Sequence, residues 1–361
     1  MTPNRLLARP VIAALTAAIM LWGCDTSSTL QPPNGNPLPG TPQTWQDLGL
    51  SNGFVEVLAL GSWNGSLIAG GDFHDALGSP SLSLAAYDGV RWTPLGPNIG
   101  SSVRAITVYN GHLIVGGPFP HINGLPLRCI GEWDGVRWTP LGAGMNRGVT
   151  ALAVYNGDLI AAGDFDMAGV TPASCIARWD GTSWHPLGAG LNSAPNALAV
   201  YRGRLIAGGS FRLTGGLPAS RLAAWDGSSW SEFEGGADGA VFSLAVRDDS
   251  LFVGGAFRSA GGVPAHHVAK WNGAAWDSLG PGLGQFTYEY VKTLTFYADT
   301  LVAGGTFPGS VRRWVGGVWS PMSSLDGYVT ALLLHGGHLY AGGSFPRYVG
   351  NSANGIARWQ D

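Results

Sequence analysis

A closed ring of seven four-stranded antiparallel blades, an all-β propeller, is the fold that this 361-residue chain predicts. Three observations carry the prediction. Phe73, Phe119, Phe165, Phe211 and Phe257 stand 46 residues apart, and Phe307 and Phe345 follow after 50 and 38. A fixed period in this range marks a solenoid, an array or a propeller. Each unit also divides into four short apolar runs separated by turn residues, as a propeller blade does. The last unit stops without a fourth run, whereas Thr44-Trp45-Gln46-Asp47-Leu48-Gly49 supplies one at the other end. The N-terminal strand is therefore expected to complete the last blade, which removes an open sheet edge and locks the ring.

Residues 147–192 serve as the type unit. VTALAV reads as the first strand, and Asn156-Gly157 as a two-residue turn whose positive φ values suit strand twist. LIAAGDF reads as the second strand, DMAGVTPAS as a loop, CIARW as the third strand, Asp180-Gly181 as a further turn and SWHPLG as the fourth strand. The third strand closes on an aromatic residue at Tyr87, Trp133, Trp179, Trp225, Trp271, Trp314 and Trp359. The fourth opens on Trp92, Trp138, Trp184, Trp230, Trp276 and Trp319, with Trp45 as the seventh. Tryptophans at one place in every repeat are read as blade packing, not as a set of sugar sites. Trp63 takes the tyrosine place of its turn, after what reads as a two-residue insertion at Gly61-Ser62. The Gly-Gly pairs that end the second strands point to close backbone approach between wedge-shaped blades. No helix follows them, so a phosphate cradle is not their chemistry.

Composition agrees. The chain is 45% hydrophobic and 12% charged, with 57 glycines and 15 tryptophans, ample for a large core of short strands. A formal net charge of −3 without a basic run gives no electrostatic footprint for nucleic acid. Residues 1–23 differ: Arg5 and Arg9 precede an apolar stretch from Val11 to Trp22, too short to span a bilayer. They read as an export signal. Its end, Leu21-Trp22-Gly23-Cys24, resembles a bacterial lipobox, which implies cleavage before Cys24 and lipidation of its thiol; ordinary secretion with Cys24 as a bystander is the alternative. Residues 24–42 read as a lipidated cysteine followed by a proline-rich disordered tether, and residues 43–361 as the propeller.

The repeated apolar strand ending in Gly-Gly, the following aromatic and the tryptophan of the next strand resemble the kelch and galactose-oxidase type of propeller repeat. The turn between Trp179 and Trp184 is shorter than the kelch turn. Segments such as GGSF…GLPASRLAAWDGSSW are more similar to the repeats of fungal cortical-marker proteins and of exported bacterial proteins. The Trp-Asp-Gly triplets lack the Gly-His partner of WD40 repeats.

The Asn-Gly and Asp-Gly turns fall on one face of such a disc. The longer second-to-third and fourth-to-first connections fall on the other, where function concentrates. One position of the first, innermost strand varies between blades, reading Glu56, Arg104, Thr150, Asn196, Phe242, Lys292 and Thr330. These seven residues are expected to ring the channel mouth, either as a ligand-binding set or as the solvated lining of a water-filled channel.

Galactose-oxidase-like enzymes hold copper with tyrosines and histidines and link one tyrosine to a cysteine. Here Cys129 and Cys175 occupy equivalent places at the start of the third strand, where other blades carry Ser83, Arg221, His267, Ser310 and Gly355. Such places in neighbouring blades lie roughly 10–13 Å apart, beyond disulfide reach, so two free thiols are expected. No histidine spacing suggests a metal, and no cofactor is read from the sequence. Asp72-Phe73-His74-Asp75 and Asp164-Phe165-Asp166 are either cation ligands or polar strand caps. Glu56, Asp72, Asp164 and Glu289 are the carboxylates an acid–base mechanism would use. The inserted Gly284–Tyr290 (GQFTYEY) places Phe286, Tyr288 and Tyr290 around Glu289, either to contact a sugar or peptide or to pack on the shortened sixth blade.

The function expected is noncatalytic binding of a protein or glycan partner through the long-loop face, by a monomeric, lipid-anchored module of the cell envelope. Lectin-like binding at repeated sugar sites and a hydrolase or oxidase at the channel mouth are the alternatives.

Overall fold

The computed structural model describes residues 43–50, 55–73, 83–96, 99–122, 124–284, 286, 288–322, 325, 327–345 and 354–360. The export signal, Cys24, the tether and the His74-Asp75 cluster lie outside the described residues.

Seven four-stranded antiparallel sheets form the blades. The type blade comprises Val149–Tyr155, Asp158–Gly163, Ile176–Trp179 and Trp184–Pro186, joined in that order. Its first turn has the expected chemistry: Tyr155 faces Asp158, and Asn156 and Gly157 take φ of 51° and 86°. The second turn is a four-residue loop, since Trp179 faces Trp184. The Asp180 carboxylate accepts the amides of Thr182 and Ser183, which holds its acidity strongly raised and explains why Asp heads this turn. The second-to-third connections of blades three, four and five are not plain loops. Each folds into a two-residue-per-strand ribbon, as at Met167–Ala168 with Thr171–Pro172, because Gly-rich tips allow a tight hairpin there.

The first strands of successive blades touch one another around the axis and close from the seventh blade back to the first. The core lies between blades. Seven buried clusters occur among the described residues, each drawn from two neighbouring blades. The seven periodic phenylalanines sit in these seams, fully or almost fully buried. Each contributes on the order of 1.5–3 kcal/mol by removal from water.

The glycine pairs set how closely the seams close. A Cβ on the first glycine would strike a valine of the next blade: Gly116 against Val149 Cγ1 at 2.5 Å, and Gly342 against Val57 Cγ1 at 2.5 Å across the closure. The third blade carries Ala162 there, and the next blade has Pro195 in the valine's place. A Cβ on the second glycine would meet a backbone carbonyl at the start of its own blade, Gly148 O, just ahead of the first strand, at 2.0 Å from Gly163.

Closure follows the predicted path. Thr44–Asp47 pairs antiparallel with Ile356–Gln360, Trp45 facing Trp359, and forms the outer strand of the last blade. The Trp45 indole donates to Met322 O of the sixth blade. Trp184 and Trp230 make the same bond to Leu141 O and Leu187 O. The paired aromatics of third and fourth strands stand 5.1–5.5 Å apart in all seven blades.

The place before each third strand is uniform in backbone, though not in side chain. Ser83, Cys129, Cys175, Arg221, His267, Ser310 and Gly355 all have φ between 55° and 78°. Each accepts the amide of the residue that ends the glycine pair, as Cys129 O does from Gly117 and Cys175 O from Gly163. The two cysteines therefore precede the strand rather than begin it, and both thiols are free.

Candidate functional site at the channel mouth

The first strand of nearly every blade carries a β-bulge near its start, at the long-loop end. The register shifts between Val149 and Ala151, between Val241 and Ser243, between Val291 and Thr293 and between Val329 and Ala331. The unpaired residue is the variable one: Thr150, Phe242, Lys292 and Thr330, with Asn196 in the fourth blade. A bulge re-aims the side chain it releases from the ladder.

One ring member needs correction. In the first blade the shift falls between Val57 and Ala59, so Leu58 holds the ring position and Glu56 lies two residues earlier, paired with Asp72. The same slip produced the insertion read at Gly61-Ser62. There is none: Trp63 donates to Gly111 O, 48 residues on, as Tyr155 does to Gly203 O. An extra residue in a bulge is invisible to apolar alternation, so a strand read by alternation alone can be set two residues out.

The ring divides by chemistry. Thr150 Oγ1 donates to Pro195 O at 2.6 Å, Asn196 Nδ2 to Val241 O at 2.9 Å, and Thr330 Oγ1 to Val57 O. These three join each blade to the next through the inner strands, a structural task. Phe242, Lys292 and Arg104 do otherwise. The Lys292 ammonium stands 4.8 Å from the centroid of the Phe242 ring, a cation–π contact. Tyr290 meets that ring edge-on at 5.2 Å. Burial disfavours the Lys292 charge, and Arg104 adds to the effect. Glu56 opposes both, so the lysine's pKa lies below its ordinary value. Burial, with Tyr328 and Glu56, pushes the Tyr290 phenol up, which keeps its hydroxyl protonated. Blades five, six, seven, one and two thus send groups to one electrostatically coupled cluster. Glu56, displaced from the ring, belongs to this cluster all the same. Tyr290 belongs to the aromatic loop that the sequence marks, whereas nothing in the local sequence of Tyr328 shows which strand end it faces.

The 284–290 loop lies beside this mouth. Glu289 is buried, its carboxylate accepts the Phe286 amide at 3.0 Å, and it acts on the buried His267. Thr306 Oγ1 accepts the Tyr290 amide and donates to Tyr288 O, tying the loop to the sixth blade. The loop therefore packs on the sixth blade. Glu289 packs inward, whereas Phe286 and Tyr288 stack in parallel at 5.3 Å and stay 54% and 68% exposed. Asp166 is tied to Asn146, its amide meeting Asn146 Oδ1 at 3.2 Å, as a cap of a strand end would be. Among the described residues no group of three His, Cys, Asp or Glu side chains is placed to hold a metal ion.

The chain matches no protein-family model and no curated protein. Solved structures do match. An extracellular domain assigned to a hybrid two component system (BT4673) of B. thetaiotaomicron superposes with a TM-score of 0.60 at 10% identity. That alignment covers 89% of this chain and 40% of the other, so the chain spans less than half the length of that structure. The WD40 β-propeller domain of Doa1 superposes with a TM-score of 0.54 at 15% identity, over 87% of this chain and 96% of that one. At such identities the likeness is one of fold: a seven-bladed β-propeller.

Proposed function

We propose that this protein is a noncatalytic binding module of the cell envelope that takes a protein or glycan partner on its long-loop face, centred on the axial mouth. One observation carries the reading. Lys292 and Tyr290 of the sixth blade meet Phe242 of the fifth, Arg104 of the second blade and Glu56 of the first act on that lysine, and the three ring members not needed there are used to join blades. A rigid ring holds such a cluster with little ordering cost on association. Export through residues 1–23, lipidation at Cys24 and display on the 24–42 tether are part of this proposal. The likeness to a bacterial extracellular domain supports export.

The test probes arrays of glycans and of purified envelope proteins with the mature chain. Binding lost in both Arg104→Ala and Lys292→Ala, and kept in Val136→Asp on the opposite face, supports the reading. Binding that survives both changes at the mouth, or that falls with the Val136 change, overturns it.

A further inference from the structure

Resting on that reading, we infer that the axial mouth is an anion site whose ligand is a carboxylate-bearing saccharide, of the hexuronic acid type, held by Lys292 and Arg104 and flanked by aromatic rings. The charges come first. Two cations, Lys292 and Arg104, face the carboxylate of Glu56, whose cross-strand neighbour is Asp72, on a chain whose formal net charge is −3. Among the described residues neither Lys292 nor Arg104 is in a salt bridge, whereas Arg178, Arg202 and Arg247 on the opposite face are paired with aspartates. Lys292 is half-buried, supported by the face of Phe242, and Arg104 is exposed. A cation drawn partly out of water beside another cation gains from an arriving anion. Glu56 offsets the repulsion in the free protein without forming a close pair, so the ammonium keeps its donors for a ligand.

The rings choose the kind of anion. Tyr328, Tyr288 and Phe286 are more than half exposed on the same face, and the last two present a parallel stack. Pyranose rings offer apolar C–H faces that lie on such surfaces, and the protonated Tyr290 hydroxyl adds a donor. A peptide would ordinarily seek an open strand edge for main-chain pairing. Each inner strand is the edge of its sheet, but that edge is packed against the inner strands of its neighbours, and some of its carbonyls are taken by side chains of the adjoining blade, as Val241 O is by Asn196.

The experiment is titration calorimetry of the full mature protein with trigalacturonate, with neutral galactotriose, and with tetraglutamate as a peptide carboxylate. Trigalacturonate is expected to bind, to weaken with added salt, and to lose affinity by at least about tenfold in Lys292→Met and, separately, in Arg104→Gln. Arg104 is exposed, so its variant tests the site even should Lys292→Met disturb the inner strand. Lys270→Met, which removes a cation over Phe252 elsewhere on the disc, is expected to bind as wild type. Galactotriose binding as tightly as trigalacturonate, or unchanged affinity in both charge-removing variants, overturns the anion site. Tetraglutamate binding in place of trigalacturonate overturns the saccharide and points to a peptide. No trigalacturonate binding alongside a partner on the arrays that still needs Lys292 overturns this inference and leaves the face reading standing. Loss of array binding as well sinks both.

Discussion

Trp45→Ala tests the closure on which the disc depends. The side chain is 4% exposed, stands edge-on to Trp359 at 5.2 Å and donates to Met322 O. Removing a buried tryptophan of this kind costs about 3–5 kcal/mol, including the cavity and the carbonyl left without its donor. Roughly 320 folded residues, at about 2.1 cal/mol/K each, give an unfolding entropy of about 0.7 kcal/mol/K, so a 4 kcal/mol loss lowers Tm by about 6 °C. Trp184→Ala is the internal reference. It loses the same kind of indole bond and ring pair, but its strand is held to its neighbour by a turn of four residues. Trp45 has no such connection to Trp359. Its loss should therefore unfasten the outer strand locally as well as lower global stability. The assay is thermal and urea unfolding by far-ultraviolet circular dichroism, with amide exchange read at 44–47 and 356–360. The expected result is a comparable Tm drop in both variants and faster exchange at the closure in Trp45→Ala alone. A drop under about 1 °C for Trp45→Ala, or wild-type amides at 44–47 exchanging as freely as an unfolded chain, would refute closure by the N-terminal strand.

Other outcomes follow from the same geometry. Gly163→Ala puts a Cβ 2.0 Å from the Gly148 carbonyl and should cost about 1–3 kcal/mol or more in urea unfolding, whereas Gly148→Ala, with nothing nearer than 3.5 Å, should cost less than 1. Burial, then His266 and Arg258, hold the His267 pKa below its ordinary 6.5 against the pull of Glu289. The unfolded chain therefore takes up this proton first as pH falls. Stability should drop as pH goes below about 6.5, and more steeply in wild type than in His267→Ser, the residue that Ser83 and Ser310 show to fit the same backbone. An equal slope in both proteins would remove His267 as the cause. Burial raises both thiol pKa values, so Cys129 and Cys175 should react slowly with a thiol reagent at pH 7 in the folded protein and fully on unfolding. A disulfide found by mass spectrometry would contradict the fold.

The sequence by itself determined the ring: seven units, four strands each, with the N-terminal strand as the last outer strand. It could do so because seam packing repeats, and each seam asks for the same phenylalanine, glycine pair and tryptophan. The Asn-Gly turns were legible for the same reason, since few residues accept their backbone. The left-handed position before each third strand was not, because Ser, Cys, Arg, His and Gly stand there and only the backbone is common to them. Nor was the true register of the first blade, where a bulge hides one residue and Leu58 replaces Glu56. Which ring residues are spent on joining blades, and which remain for a ligand, was decided only by the closed structure. Thr150 and Lys292 hold equivalent places, but one finds a carbonyl of the next blade and the other an aromatic face. Lys292 and Arg104 are 188 residues apart in sequence, with three blade steps between them around the ring, and only closure brings their charges within reach of each other.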